Sequence, residues 1–425
     1  MTSGPLHART TYAQALTPRA SAWRDLLCEL IRIPSLFEAE QPMVDRVAQH
    51  IHELGAAPVR VRHDPRRLGQ LAAAQAPISG VADRFSLVVR VPGAGAGRSM
   101  IVNAHLDTVP PGDTSSWHYP PYAGIFDARD GAVYGRGAMD DKAGVVVCLG
   151  LLESLLAHQP RLAGDVIFQF VLEDETTGNG SLVCLDAGHV GDAALIVDGT
   201  RGDRAINAHA GQLQFNVEVR GKPASVSVSH LGVNAAEMMA RLLVHLRDTV
   251  FAWNATNRAP WTAFPSPNQL VIQRLHAAGE QLTVPEAASA QCYVTFTPDR
   301  ELAGVRRALQ SAVVKFADEW QLPDLPLLDY SAGFEAEPVE SRSMPLENAL
   351  RSAAERAQLP AIDIGPSTGT SDMRHFVARG IPCMLFGPGR GYNPHRPNEY
   401  FLVDDLPRMI ACYLELLADW CGLAN

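Results

Sequence analysis

Apolar residues recur along the chain with two periods, and the switches between them mark out the elements. Residues 22–33 (AWRDLLCELIRI) repeat at helical spacing and stop at Pro34. Residues 43–54 (MVDRVAQHIHEL) make a second amphipathic helix, closed by Gly55. Apolar runs at 59–61, 85–91 and 100–102 predict strands. An apolar helix is expected over 143–156, then buried strands over 165–172 and 193–197. These last strands run into acids, Glu173-Asp174-Glu175 and Asp198. Such alternation predicts an α/β domain, whose strand ends are where ligands bind.

Near Ala208 the texture changes. Residues 213–220 (LQFNVEVR) alternate strictly, as a half-exposed antiparallel strand does. Further strands are expected at 269–274 and 290–297, and helices at 234–246 and 305–320. Helices at 346–357 and 407–420 and a strand at 383–386 then resume the first pattern. The expected fold is an α/β domain with a mixed, largely parallel sheet, interrupted by an α+β module. The segments are 1–207, 208–335 and 336–425.

At 425 residues the chain exceeds one ordinary core, which agrees with two modules. A net charge of −10, with no basic stripe, argues against nucleic acid as a partner. The polar segment 1–15 does not read as a secretory signal, and no apolar run approaches the roughly 18 residues that span a bilayer. Seven scattered cysteines include no CxxC pair, so reduced, buried thiols and a cytoplasmic location are expected.

The chemistry concentrates around Met100–Val102, which leads into His105-Leu-Asp107. On a strand, alternate side chains share a face, so both can reach one point at its end. Asp140 follows on the Gly-rich turn Gly135-Arg-Gly-Ala-Met-Asp140, and Glu175, Asp198 and His395 each sit after a strand or in a Gly/Pro-rich loop. Taken singly these are a surface turn, a helix cap and a loop histidine. Together, two histidines and three carboxylates suit zinc, cobalt or manganese. A bridging carboxylate would let two ions sit roughly 3.5 Å apart.

The segments HLDTVPPGDTSSW, PPY, YGRGAMDDK, EDETTGNGS, IVDGT, GTSDMRHF, FGPG and NPH carry a resemblance that covers nearly the whole chain. It resembles the metallo-aminoacylase superfamily of acetylornithine deacetylase, succinyl-diaminopimelate desuccinylase and glutamate carboxypeptidase. The resemblance implies two divalent metal ions, zinc first, with His105 and Asp198 on one, Glu175 and His395 on the other, and Asp140 between them. It implies that Asp107 supports His105. It also implies that the inserted module is a ferredoxin-like lid through which such chains often pair as homodimers. The activity implied is hydrolysis of a small amide, as an N-deacylase or dipeptidase-like enzyme, through a metal-bridging water.

Three positions depart from that family. Its general-base glutamate is Asp174 here, one methylene shorter. Its lid histidine is Ser225, with His230 and His209 as possible substitutes and Asn234 nearby in the same motif. Its carboxylate-gripping arginine is Thr295, leaving Arg374 and Arg390 as candidates near the metal loops. All three touch base, oxyanion donor or substrate clamp. Two other readings therefore stand beside hydrolysis: the same metal scaffold used for amide formation or acyl transfer, and a non-catalytic metal-binding homologue.

Overall fold

The computed structural model describes residues 12–157, 160–331, 333–390 and 393–424. Residues 1–11 of the polar N-terminal segment, and Gly391 and Tyr392 in the His395 loop, lie outside the described residues.

The fold is mixed α/β. A nine-stranded sheet is built outward from Met100–His105. That strand pairs in parallel with Val166–Val171 on one side and Ala194–Ile196 on the other, and Cys383–Leu385 continues the parallel run. Antiparallel strands Phe85–Val91 and Val59–Arg62 complete one flank. The central strands are buried throughout because helices cover both faces. Phe168 and Phe170 of Val166–Val171 enter one core, and Ile167 and Val171 enter the opposite one.

The first core is organised by Lys142–Leu156, a helix apolar on nearly every side and hence internal. Gly150 lets it approach its neighbours: a Cβ there would meet Ile410 at 2.5 Å and Trp23 at 3.1 Å. Helices Ala20–Ile31 and Asp405–Cys421 pack around it. On the other face lie the shorter helices Asn179–Asp186 and Met373–Val377.

A separate five-stranded sheet carries its own core. Gly211–Arg220 is its antiparallel centre, flanked by Ala287–Phe296 and Leu327–Asp329, with Gln269–Ala278 at the edge. Leu213, Phe215, Val217 and Val219 point into that core, as the strict alternation predicts. Helices Ala235–Ala252 and Leu302–Trp320 contribute its other side. The first starts at an Asn234 cap, whose side chain accepts from the amides of Ala236 and Glu237 at 3.0 and 3.2 Å.

A third, three-stranded sheet was not expected from the sequence. It pairs Tyr400–Leu402 with Ala132–Tyr134, and so lays Glu399 beside the Gly135–Asp140 turn. All seven cysteines are buried and unpaired. Among the described residues no helix is long and apolar enough to cross a membrane.

Candidate metal centre

The strand Met100–His105 ends by presenting His105 at the sheet edge. Its Nδ1 lies 3.0 Å from the Asp107 carbonyl oxygen. That bond fixes the ring so that Nε2 faces inward. Nε2 meets Asp140 Oδ1 at 2.9 Å, while Asp140 Oδ2 lies 3.2 Å from His395 Nε2. His395 also reaches Glu175 at 3.0 Å. Asp140 therefore offers one oxygen to each histidine. Donor atoms of His105, Asp140 and Glu175 lie within 4.8 Å of one another, as do those of His105, Asp174 and Asp198.

Two devices hold this arrangement. The Asp107 carboxylate accepts the amides of Asp174 and Glu175 at 3.2 and 3.1 Å, tying the acidic loop to the histidine strand. Glu399 does the same for Asp140. Its Oε2 accepts from Arg136 Nη1 at 2.6 Å and Gly137 N at 3.1 Å; its Oε1 accepts from Met139 N at 2.9 Å and Asp140 N at 3.1 Å. Lys142 anchors the other end of the turn by donating to the carbonyls of Leu30 and Ile33 at 3.0 and 2.8 Å. Burial pulls this lysine down to about 7.

The electrostatics are those of crowded acids. Burial, then the charge of Asp140, pushes Glu175 up to about 7; the same two causes push Asp198 up to about 6. Burial, then Asp372, raises Asp174 well above the carboxylate range. His395 is pulled up to about 10 by hydrogen bonds to Asp140 and Glu175. Two imidazole nitrogens facing four mutually repelling carboxylates fit divalent cations, which would relieve that repulsion and take the same mixed N and O donors. Among the described residues, His105, Asp140 and Glu175 form one cluster that could hold a cation and His105, Asp174 and Asp198 another, with His395 beside Asp140 and Glu175.

The substrate-side expectations fare differently. Asn234 spends its side-chain oxygen as a helix cap, while its Nδ2 makes no hydrogen bond among the described residues. Arg390, half exposed, donates Nε to Asp405 at 2.7 Å. Arg374 donates to the carbonyls of Ser371 and Thr177 at 3.0 and 2.7 Å, so its guanidinium serves the backbone of the acidic loop. Thr295 is buried, with its hydroxyl on the Pro267 carbonyl at 2.7 Å. Ser225 is exposed, with its hydroxyl 3.0 Å from that of Ser227; the His230 side chain is exposed and makes no hydrogen bond or ion pair among the described residues. Neither joins the metal cluster. His209 is buried and bonded through Nδ1 to the Ala210 carbonyl at 2.9 Å, and burial lowers it to about 4.

Several residues that hold the site carried no signal of their own in sequence. Glu399 is an acid in an ordinary polar run, and Asp372 and Glu173 lie inside motifs that gave them no role of their own. Glu173, at a φ of 70°, turns its carboxylate inward. There it takes Arg84, His63 and Thr177 as partners, with His63 Nδ1 at 3.2 Å; Arg84 also pairs with the buried Glu40. This buried ion network lies directly behind the acidic loop.

The model of peptidase family M20/M25/M40 matches residues 101–419. Among curated proteins, the chain is 24% identical over 349 residues to N-formyl-4-amino-5-aminomethyl-2-methylpyrimidine deformylase of Halalkalibacterium halodurans, covering 77% of this chain and 80% of that one. It is 23% identical over 360 residues to a probable succinyl-diaminopimelate desuccinylase of Staphylococcus epidermidis, covering 79% and 85%. Among solved structures, the M20 family metallo-carboxypeptidase Sso-CP2 of Sulfolobus solfataricus superposes with a TM-score of 0.72 at 17% identity, covering 93% of this chain and 98% of that one.

Proposed function

The chain belongs to peptidase family M20/M25/M40, a metal-dependent hydrolase of amide bonds, and on that premise we propose that it is a two-metal N-deacylase acting on a small N-acyl amine. The observation that carries this reading is Asp140, whose two oxygens face the Nε2 atoms of His105 and His395. Bound ions would supply Lewis acidity for the substrate carbonyl and acidify a water. Asp174 would take the proton from that water at its carboxylate and return it to the leaving amine. Asp107 keeps Asp174 and Glu175 in register with His105.

The substrate class follows from what the chain lacks. Thr295 stands where relatives of the resembled kind carry the carboxylate-gripping arginine, and the Arg374 guanidinium is engaged by backbone carbonyls. A substrate without a free α-carboxylate fits this better than an N-acyl amino acid. The deformylase named above is, by its name, an enzyme of an N-formyl aminomethylpyrimidine, which supports the same direction. Zinc is the proposed native metal, with cobalt or manganese as substitutes. The segment 208–335 is read as a lid. Its edge strand Gln269–Ala278 leaves Val271, Ile272 and Leu275 exposed, which supports pairing into a homodimer. A cytoplasmic setting fits the seven free thiols.

The test is metal analysis of the purified protein followed by a panel of N-formyl and N-acetyl amines beside N-acyl amino acids. Turnover of the simple N-acyl amines is expected. Tightly bound metal with no turnover anywhere on the panel would sink the hydrolytic reading and favour acyl transfer or amide formation.

A further inference from the structure

The loop over residues 173–178 carries both Asp174 and Glu175, and three separate groups pin it. Asp107 holds two of its amides, and the buried Arg84 and His63 hold the Glu173 side chain. The third group has no part in the proposed chemistry. Arg374, only 11% exposed, donates Nη2 to the Thr177 carbonyl at 2.7 Å and Nη1 to the Ser371 carbonyl at 3.0 Å. Its Nη1 lies 3.8 Å from Asp372 Oδ1, and the face of Phe334 covers it at 5.1 Å. Asp372 is 1% exposed; among the described residues its oxygens have no well-formed hydrogen bond, and burial raises its affinity for protons against the pull of Arg374 and Ser181. A buried carboxylate left this way is costly unless a cation beside it offsets the charge.

The loop is shaped to receive this pair. Gly178 stands at a φ of 67°, and a Cβ there would collide with both Arg374 Nη2 and Asp372 Oδ1. Glycine permits the turn and the close approach together.

We propose that Arg374, backed by Asp372, is a positioning residue: it locks the backbone at Thr177 so that Asp174, with its short side chain, is held at the reacting centre. A glutamate could search for its place with an extra torsion. An aspartate depends on where its backbone is put, and a displacement of about 1 Å can cost about 100-fold in rate. This role rests on the proposed hydrolysis, in which Asp174 moves the proton.

The test is a double-mutant cycle read by steady-state kinetics and by peptide-resolved hydrogen exchange. Arg374→Ala should lower kcat by about 100-fold with little change in KM or metal content. In an Asp174→Asn background the same substitution should lower kcat by less than roughly threefold, because the group it positions is already gone. Exchange over residues 173–178 should quicken by at least roughly tenfold, with the rest of the chain unchanged. Arg374→Lys keeps the charge but loses the fork, and should recover part of kcat. Should Arg374→Ala not fold, Gly178→Ala pushes the same contact apart from the loop side and should give the same kinetic and exchange pattern. Equal losses of kcat in both backgrounds, or unchanged exchange over 173–178, would overturn the proposal. A wild-type protein without amide turnover would refute the hydrolytic reading alone, since the exchange comparison still decides whether Arg374 clamps the loop.

Discussion

Replacing Glu399 by glutamine is the sharpest test of how the metal turn is held. The substitution preserves shape and removes one charge. Each Glu399 oxygen accepts two N–H donors: Arg136 and Gly137 on one, Met139 and Asp140 on the other. An amide group can place its nitrogen on either side. In both orientations an NH₂ then faces two N–H groups, so at least two bonds are lost. Both orientations leave the buried Arg136 guanidinium without its carboxylate, and one turns an NH₂ towards it. Removing one partner of a buried pair costs about 3–5 kcal/mol. At roughly 2 °C per kcal/mol for a chain of this size class, the melting temperature should fall by on the order of 5–10 °C. The Asp140 amide loses its anchor too, and a shift of about 1 Å in Asp140 should lower kcat about 100-fold. Calorimetry, amide turnover and metal titration of Glu399→Gln provide the readouts. A variant melting within about 2 °C of wild type, with unchanged kcat, would show that Glu399 does not hold the turn.

Asp174→Glu should lower kcat by about 100-fold, because the clamped loop is set for the shorter side chain; a large gain in hydrolysis would instead mean that the native site is tuned away from it. His209 gives a pH signature in stability. Its ordinary value is 6.5 and burial lowers it to about 4 in the fold, so the unfolded chain binds the extra proton first. Its contribution is complete above pH 6.5 and is lost as pH falls towards 4, by at most about 3 kcal/mol. The difference in melting temperature between wild type and His209→Gln should therefore shift across that window; parallel curves would refute the assignment. Asn234→Ala should cost about 1 kcal/mol as a lost helix cap, with metal content unchanged; a large loss of kcat at unchanged stability would instead mark Asn234 as a substrate contact.

What the sequence revealed and what it hid have physical reasons. His105, Asp140, Glu175 and Asp198 follow apolar runs or sit in Gly-rich turns, so local pattern alone marked them as groups at a sheet edge. The alternation at 213–220 revealed the second sheet because one of its faces is packed and the other is not. Glu399 was invisible because its role depends on pairing between Tyr400–Leu402 and Ala132–Tyr134, segments far apart in the chain. Arg374 was noticed for its charge and assigned to a substrate, whereas burial turned its guanidinium to the backbone carbonyls. Asn234 precedes an apolar helix, and the structure adds its capping role to the motif position. Asp107 carries two jobs that spacing cannot separate: its carbonyl orients His105, and its carboxylate holds the acidic loop.

The seven cysteines lend themselves to use as built-in reporters. All are buried, and burial is the leading cause raising each thiol above its ordinary value. The reactive species is the thiolate, so the native protein should be nearly inert towards alkylating reagents. Cys292 lies in the core of the second sheet, and Cys148 and Cys412 lie in the first core of the catalytic sheet. Labelling at each position then clocks the opening of its own core, and the two rates report whether lid and catalytic sheet unfold as one body or two.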